Sequence, residues 1–239
     1  MDAETVNQLI ALNREFYSRF SADFSDTRSS ERFNIEPFRK YLASDMRLLD
    51  AGCGNGRLAG TLERASFSLD YVGVDGSAEL ISLAQKKNAT LRNVRAQFRV
   101  VDLTTPRWNE TLRDALPFDV IASLAVLHHI PSFELRANVL REIRVLLKPR
   151  GIFVMSNWRF LNNERLRKKI VDWRELMIDN RRLEPGDYLL DWKRGGTGYR
   201  YAHLVDENEV NKLANASGLQ VVEQFHADNA LNLYSILTK

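Results

Sequence analysis

The sequence predicts an α/β fold built on a mostly parallel sheet, from three observations. Short apolar runs of strand length alternate with segments of helical spacing through the middle of the chain. One junction, Leu48 to Gly60, reads LLDAGCGNGRLAG: an apolar run, a G-x-G-x-G turn at Gly52, Gly54 and Gly56, then Leu58, Ala59 and Leu62 at helical spacing. Three of the runs end in an acid, at Asp50, Asp75 and Asp102. Ligands of open α/β sheets bind at the carboxyl ends of strands, so glycines and acids at those ends mark a site. The expected architecture is Rossmann-like: seven strands, mostly parallel, with helices on both faces, an antiparallel last strand, and a helical insertion after strand five.

Residues 4–24 carry apolar side chains from Val6 to Phe24 at amphipathic-helix spacing. Phe24 to Asn34, rich in Ser, Asp and Thr, reads as a loop, and Ile35 to Leu42 as a short helix with Pro37 in its first turn. After the glycine turn, Leu69 to Val74 is a strand ending in Asp75, 19 residues past Gly56. Gly76-Ser77 opens a helix from Ala78 to Lys87. Ala96 to Val101 is the third strand and ends at Asp102, followed by Leu103. Pro117 to Leu124 is the fourth, and AVLHHI (Ala125 to Ile130) follows it. Ser132 caps a helix over Phe133 to Leu147, and Ile152 to Asn157 is the fifth strand. Asp206 starts a helix that Gly218 ends, and Leu219 to Phe225 and Leu231 to Leu237 are the last strands. Between Arg159 and Arg200 the alternation breaks, with 11 basic and 7 acidic residues.

Composition sets bounds. Of 239 residues, 44% are apolar, enough for one domain with a large core, and the formal charge is +3. That charge permits an anionic partner without requiring one. Cys53 is the single cysteine, which excludes an intrachain disulfide and fits a reducing, cytoplasmic setting. Inside the glycine turn it reads as a small filler. Neither a signal-peptide core nor a membrane-length apolar run is present, and no His/Cys/Asp cluster has metal-ligand spacing.

The acid before the first glycine and the G-x-G-x-G spacing resemble motif I of the class I S-adenosylmethionine-dependent methyltransferases. The resemblance implies S-adenosyl-L-methionine as cofactor. Asp50 and the loop (Gly52, Cys53, Gly54, Gly56) would hold its amino-acid part, Asp75 with Gly76 its ribose diol, and Asp102, Leu103 and Leu124 its adenine side. The turn Lys148-Pro149-Arg150-Gly151 is similar to the LKPGG turn of those enzymes. One domain over 1–239 is implied: an N-terminal helical segment (1–45), a cofactor-binding core (46–158), a substrate-side insertion (159–205), and the last helix and strands (206–239).

Three further stretches, FYSRFSADFSDTR (Phe16 to Arg28), LAVLHHI (Leu124 to Ile130) and GDYLLDWKRGGTGYRYAHLVDENEV (Gly186 to Val210), resemble the methyltransferases that esterify 5-carboxymethyluridine at the tRNA wobble position. The family's second aromatic in its RYYH segment is Ala202 here, and its proline before tryptophan is Asp191. The resemblance implies a tRNA partner and, as in eukaryotic relatives, a small zinc-binding activator subunit; neither DNA nor membrane is implied. A small-molecule carboxyl or O-methyltransferase would share the cofactor half. A carboxylate acceptor is already ionised and needs no general base, so alignment does the work. Arginine suits a carboxylate by its planar fork. The expected substrate side is Arg28, His129, Arg200, Tyr201 and His203, with the arginines gripping carboxylate or phosphate. The two histidines would donate hydrogen bonds, Tyr201 would stack on the base, and Trp192 would anchor the core.

Overall fold

The computed structural model describes all 239 residues, apart from the side chain of Arg32. The N-terminal stretch forms two helices, α1 (Ala3–Arg19) and α2 (Ser21–Asp26). The Asp2 carboxylate caps α1 by accepting the Thr5 N–H at 2.8 Å, and the helix breaks at Phe20. The α2 helix thus occupies the start of the expected Phe24 to Asn34 loop. The helix expected over Ile35 to Leu42 is instead a turn followed by a 3-10 segment, Arg39–Tyr41. Ile35 and Phe38, both buried, are three residues apart, so a tight turn alone carries both into the core.

The core then alternates as expected: β1 (Arg47–Ala51), α3 (Arg57–Arg64), β2 (Leu69–Asp75), α4 (Ala78–Lys87), β3 (Val94–Val100), β4 (Phe118–Leu124), α5 (Phe133–Leu146) and β5 (Leu147–Trp158). After the insertion, which comprises α6 (Glu164–Arg167), β6 (Ile170–Val171), β7 (Asp187–Trp192) and β8 (Gly198–His203), come α7 (Glu207–Ser217), β9 (Gln220–Ala227) and β10 (Asn232–Thr238). The seven-stranded sheet has the order β3-β2-β1-β4-β5-β10-β9. Strands β1 to β5 pair in parallel, and β10 runs antiparallel to both β5 and β9. The chain order reverses between β1 and β4, and a crevice opens there at the strands' carboxyl ends. Alternation along β1 feeds both faces of the sheet. Leu48 packs with Leu58 and Leu62 of α3, whereas Leu49 packs in the layer of α5 and α7 with Leu140 and Leu213.

The insertion departs from expectation. It is a three-stranded antiparallel sheet, β6-β7-β8, and α6 is its only α-helix, four residues long. Apolar and aromatic residues dominate β7 and β8, and Gly195 and Gly196, both at positive φ, let the hairpin turn between them. Asn13 of α1 ties this sheet to the body. Its Oδ1 accepts the Tyr201 N–H at 2.8 Å, and its Nδ2 donates to the carbonyls of Tyr201 and His129 at 3.2 and 2.9 Å. The buried Asn13 amide thereby holds α1, β8 and the segment after β4 in one arrangement.

Candidate active site

A cavity of about 890 Å³ opens at the carboxyl ends of β1, β2 and β4, with residues of α1 and the small sheet in its wall. The glycine turn forms part of the floor. Gly52, Gly54 and Gly56 all have positive φ, and the N–H groups of Gly52 and Cys53 donate to the Val74 carbonyl at 2.8 and 2.9 Å. The three glycines do different jobs. A Cβ on Gly52 would lie 2.3 Å from a Val126 methyl, whereas one on Gly54 would meet nothing within 4 Å. Gly54 therefore presents bare backbone to the open cavity. Gly56 caps α3 and faces Asn88 and Phe98, away from the cavity lining.

The three strand-end acids all line this cavity. Asp50 is buried and accepts the Tyr71 hydroxyl at 2.5 Å; burial pushes its pKa up to about 7, against the pull of Tyr71 and Arg57. Asp75 accepts the N–H groups of Gly54 and Ser77, each at 2.9 Å, and burial raises its pKa as well. Asp102 is more open. Burial works to raise its pKa, but hydrogen bonds from Thr104 and from Arg14, at 2.7 Å, outweigh that and lower it. Gly76, Leu103, Leu124 and Cys53 line the cavity beside them, the cysteine as a buried filler. A bare backbone turn and acids at three strand ends fit a ligand with an ammonium group, a ribose diol and an exocyclic amine.

The opposite side of the cavity is cationic. Arg200 is 2% exposed and its guanidinium lies among three aromatic rings, Phe16, Trp158 and Trp192, at 5.3, 4.8 and 5.6 Å from their centroids. Its Nε and Nη1 have no hydrogen-bond partner among the described residues. Burial lowers its pKa, with the Tyr17 hydroxyl opposing. Arg28 lies 3.5 Å from the centre of the Phe24 ring and donates to the Thr27 hydroxyl at 2.7 Å. Burial brings its pKa down to about 9. Arg57, unremarked in the sequence, joins the lining from the first turn of α3. Trp192, expected as a core anchor, does pack on Phe16 and also lines the cavity.

His129 lines the cavity, and its Nδ1 sits 2.9 Å from the Tyr201 carbonyl. A carbonyl only accepts, so Nδ1 carries the proton. Burial, with His128 and Arg200 adding to it, holds the pKa well below the usual 6.5, so the ring is neutral and Nε2 is an acceptor. The expectation that His129 donates is corrected accordingly. Its neighbour His128 is buried against Asn157 outside the cavity lining, with burial bringing its pKa down to about 3.

Tyr201 and His203 stand elsewhere. Successive residues of β8 face opposite ways, so with Arg200 turned to the cavity both point to the other side. There the Tyr201 hydroxyl donates to Asp187 at 2.7 Å, and His203 bridges Asp187 and Glu209 at 2.6 Å each. Arg136, 1% exposed, pairs with Glu184 and Glu209 in the same network. Burial disfavours the charged His203 ring, but the two carboxylates outweigh it and raise its pKa. Glu184, Asp187 and His203 are close enough to share a cation. Arg136 already supplies positive charge there, and the cluster reads as an ion-pair network. Tyr201 thus reaches the site only through its backbone carbonyl, which holds His129, and His203 belongs to the ion-pair network on the far face.

Comparison with known proteins shows which family the chain belongs to. The model of a methyltransferase domain family matches residues 42–218, most of the chain. This chain is a methyltransferase. The methyltransferase is 30% identical over 142 residues to a tRNA (carboxymethyluridine(34)-5-O)-methyltransferase of Arabidopsis thaliana, covering 59% of this chain and 31% of that one. It is 28% identical over 125 residues to a ubiquinone biosynthesis O-methyltransferase of Haemophilus ducreyi, 52% of this chain and 50% of the relative. The chain thus spans from about a third to half the length of these two curated relatives. In fold, it matches a crystal structure of a SAM-dependent methyltransferase from Methanosarcina mazei with a TM-score of 0.64 at 21% identity, over 86% of this chain and 98% of the other. The cofactor is S-adenosylmethionine, and the turn and acids described above fit it.

Proposed function

We propose that this methyltransferase esterifies the carboxylate of 5-carboxymethyluridine at the wobble position of tRNA. The observation that carries the reading is Arg200. A buried guanidinium with two unpartnered nitrogens costs several kcal/mol unless an anion completes it. A planar carboxylate is the matching partner. S-adenosylmethionine, when bound, supplies an activated methyl group, and a carboxylate is ionised at neutral pH without a base. The task left to the chain is to hold that carboxylate in place and keep water out, which suits Arg200 and its aromatic walls.

Charge and lining support a polyanion around that carboxylate. Eight basic residues line the cavity (Arg14, Arg28, Arg57, Arg165, Lys169, Lys193, Arg194, Arg200) against four acids (Asp50, Asp75, Asp102, Asp228). Besides Arg200, the insertion supplies four of the basic ones (Arg165, Lys169, Lys193, Arg194), which suit phosphates flanking a base that enters between Trp158 and Trp192. The Arabidopsis relative is named for this reaction. No helix is long and apolar enough to cross a membrane among the described residues, and a cytoplasmic tRNA pool is the natural substrate for such a chain.

The test is methyl transfer to tRNA bearing 5-carboxymethyluridine, with nucleosides read by mass spectrometry. It is run with the chain alone and with a small zinc-binding activator subunit added. A wobble methyl ester is expected, and tRNA affinity should fall steeply as salt rises. Transfer to free carboxylic acids or phenols, with none to tRNA under either condition, would replace this reading with that of a small-molecule enzyme, to which the Haemophilus relative points.

A further inference from the structure

We infer that His129 sets acceptor specificity by taking a hydrogen bond from the substrate, through Nε2, at a point near the carboxylate that Arg200 grips. This rests on the proposed function and deepens it. Three observations on geometry converge. The Tyr201 carbonyl, 2.9 Å from Nδ1, fixes the tautomer, and that carbonyl is itself held by the Asn13 amide at 3.2 Å. Nε2 is buried and has no partner among the described residues. The ring forms part of the cavity wall beside Trp158, with centroids 5.3 Å apart, and Trp158 also stacks with Arg200.

An unprotonated ring nitrogen repels a carboxylate oxygen, so His129 cannot be the carboxylate's second anchor. It pairs with a donor on the same substrate. Arg200 and His129 together therefore require an anion and a neutral N–H or O–H donor a short way apart. A uracil ring carrying a carboxymethyl group offers both, the donor being the imide N3–H. A cytosine ring, with an acceptor at that position, would set two lone pairs against each other and be refused.

The test uses the whole chain and two anticodon stem-loops, one with 5-carboxymethyluridine and one with its N3-methylated counterpart. His129→Phe keeps the ring's bulk and removes the acceptor. On the N3–H substrate, kcat/KM is expected to fall about tenfold or more in the variant. On the N3-methyl substrate wild type and variant should be equally poor, so the discrimination collapses in His129→Phe. Undiminished discrimination in the variant would mean that crowding, and not a hydrogen bond, rejects the methyl group, and would overturn the inference. A second readout needs no substrate. In 15N-histidine spectra at neutral pH, His129 should show a protonated Nδ1 and a bare Nε2. A protonated Nε2 would overturn the inference even if tRNA is methylated. A bare Nε2 in a protein that ignores tRNA would sink the tRNA reading and leave the acceptor role standing for another donor-bearing substrate.

Discussion

Replacing Asp50 by Asn separates what this residue does for the fold from what it does for the cofactor. Buried at the end of β1, its carboxyl has a pKa raised from 3.8 to about 7. The sign follows from linkage. Below the unfolded value both states hold the proton and Asp50 costs nothing. As pH rises toward 7 the unfolded chain releases a proton that the folded chain keeps, so stability falls, and above 7 the full cost is present. At 1.36 kcal/mol per pKa unit, the three-unit gap is worth about 4 kcal/mol at pH 8, just under ~2 kcal/mol at pH 5 and about 0.5 kcal/mol at pH 4. Asparagine keeps an oxygen for the Tyr71 hydroxyl and carries no charge. The ligand-free variant should therefore be more stable than wild type by about 4 kcal/mol at pH 8, on the order of 10 °C in Tm for a chain of this size, with the gain shrinking at pH 5. Cofactor binding should move the other way. The charge left at Asp50 would hold the cofactor's ammonium, so wild-type affinity for S-adenosylhomocysteine should rise as pH passes through 7, and Asp50→Asn should lose the calorimetric signal. Urea melts at the two pH values and titration calorimetry make the test. A variant no more stable than wild type at pH 8, or a gain independent of pH, would refute the burial argument. Unchanged binding would refute the assignment to the ammonium.

Arg200→Met removes a buried, unpartnered charge and keeps the volume. The ligand-free chain should gain about 1 kcal/mol or more in urea melts, while methyl transfer falls by about two orders of magnitude and S-adenosylhomocysteine still binds. Gly54→Ala puts a residue at φ +55° at a cost of about 1–2 kcal/mol, and its methyl enters the cavity, so calorimetry should show cofactor affinity reduced about tenfold or more in a chain that still folds. His203→Gln should destabilise most in mild acid. The ring's contribution is complete below its unfolded pKa near 6.5 and is lost as pH rises through its raised folded value, so the stability gap to wild type in denaturant melts should narrow in alkali.

The cofactor half of the site was legible in the sequence because each of its features is local. An apolar run, an acid and a turn that needs positive φ all fall within a few residues, and the three acids repeat the pattern. The acceptor half depends on contacts that no window contains. Asn13 meets Tyr201 across 188 positions, and α1 packs against β8 of the small sheet. The insertion expected to be helical keeps only the four-residue α6 as α-helix, since the apolar and aromatic runs of β7 and β8 pair as strands. Arg57 had no signal beyond its position in the first turn of α3.

Strand alternation sorts the late segment. Tyr199-Arg200-Tyr201-Ala202-His203 is too rich in aromatics and too close to a glycine turn to be helix. Once it is a strand, Arg200 and Ala202 share one face while Tyr201 and His203 share the other. That alternation also places Ala202 on the cavity side of β8. Ala202, where the resembled segment carries an aromatic, packs against Phe160, Leu166 and Leu190, with Trp158 and Leu231 beside them. Leu166, Trp158 and Leu231 line the cavity. Ala202 thus stands behind the part of the cavity wall that the proposed acceptor would face. Adding bulk with Ala202→Tyr would push those side chains into the cavity, so substitutions at this position bear on the proposed acceptor side before they bear on the cofactor side.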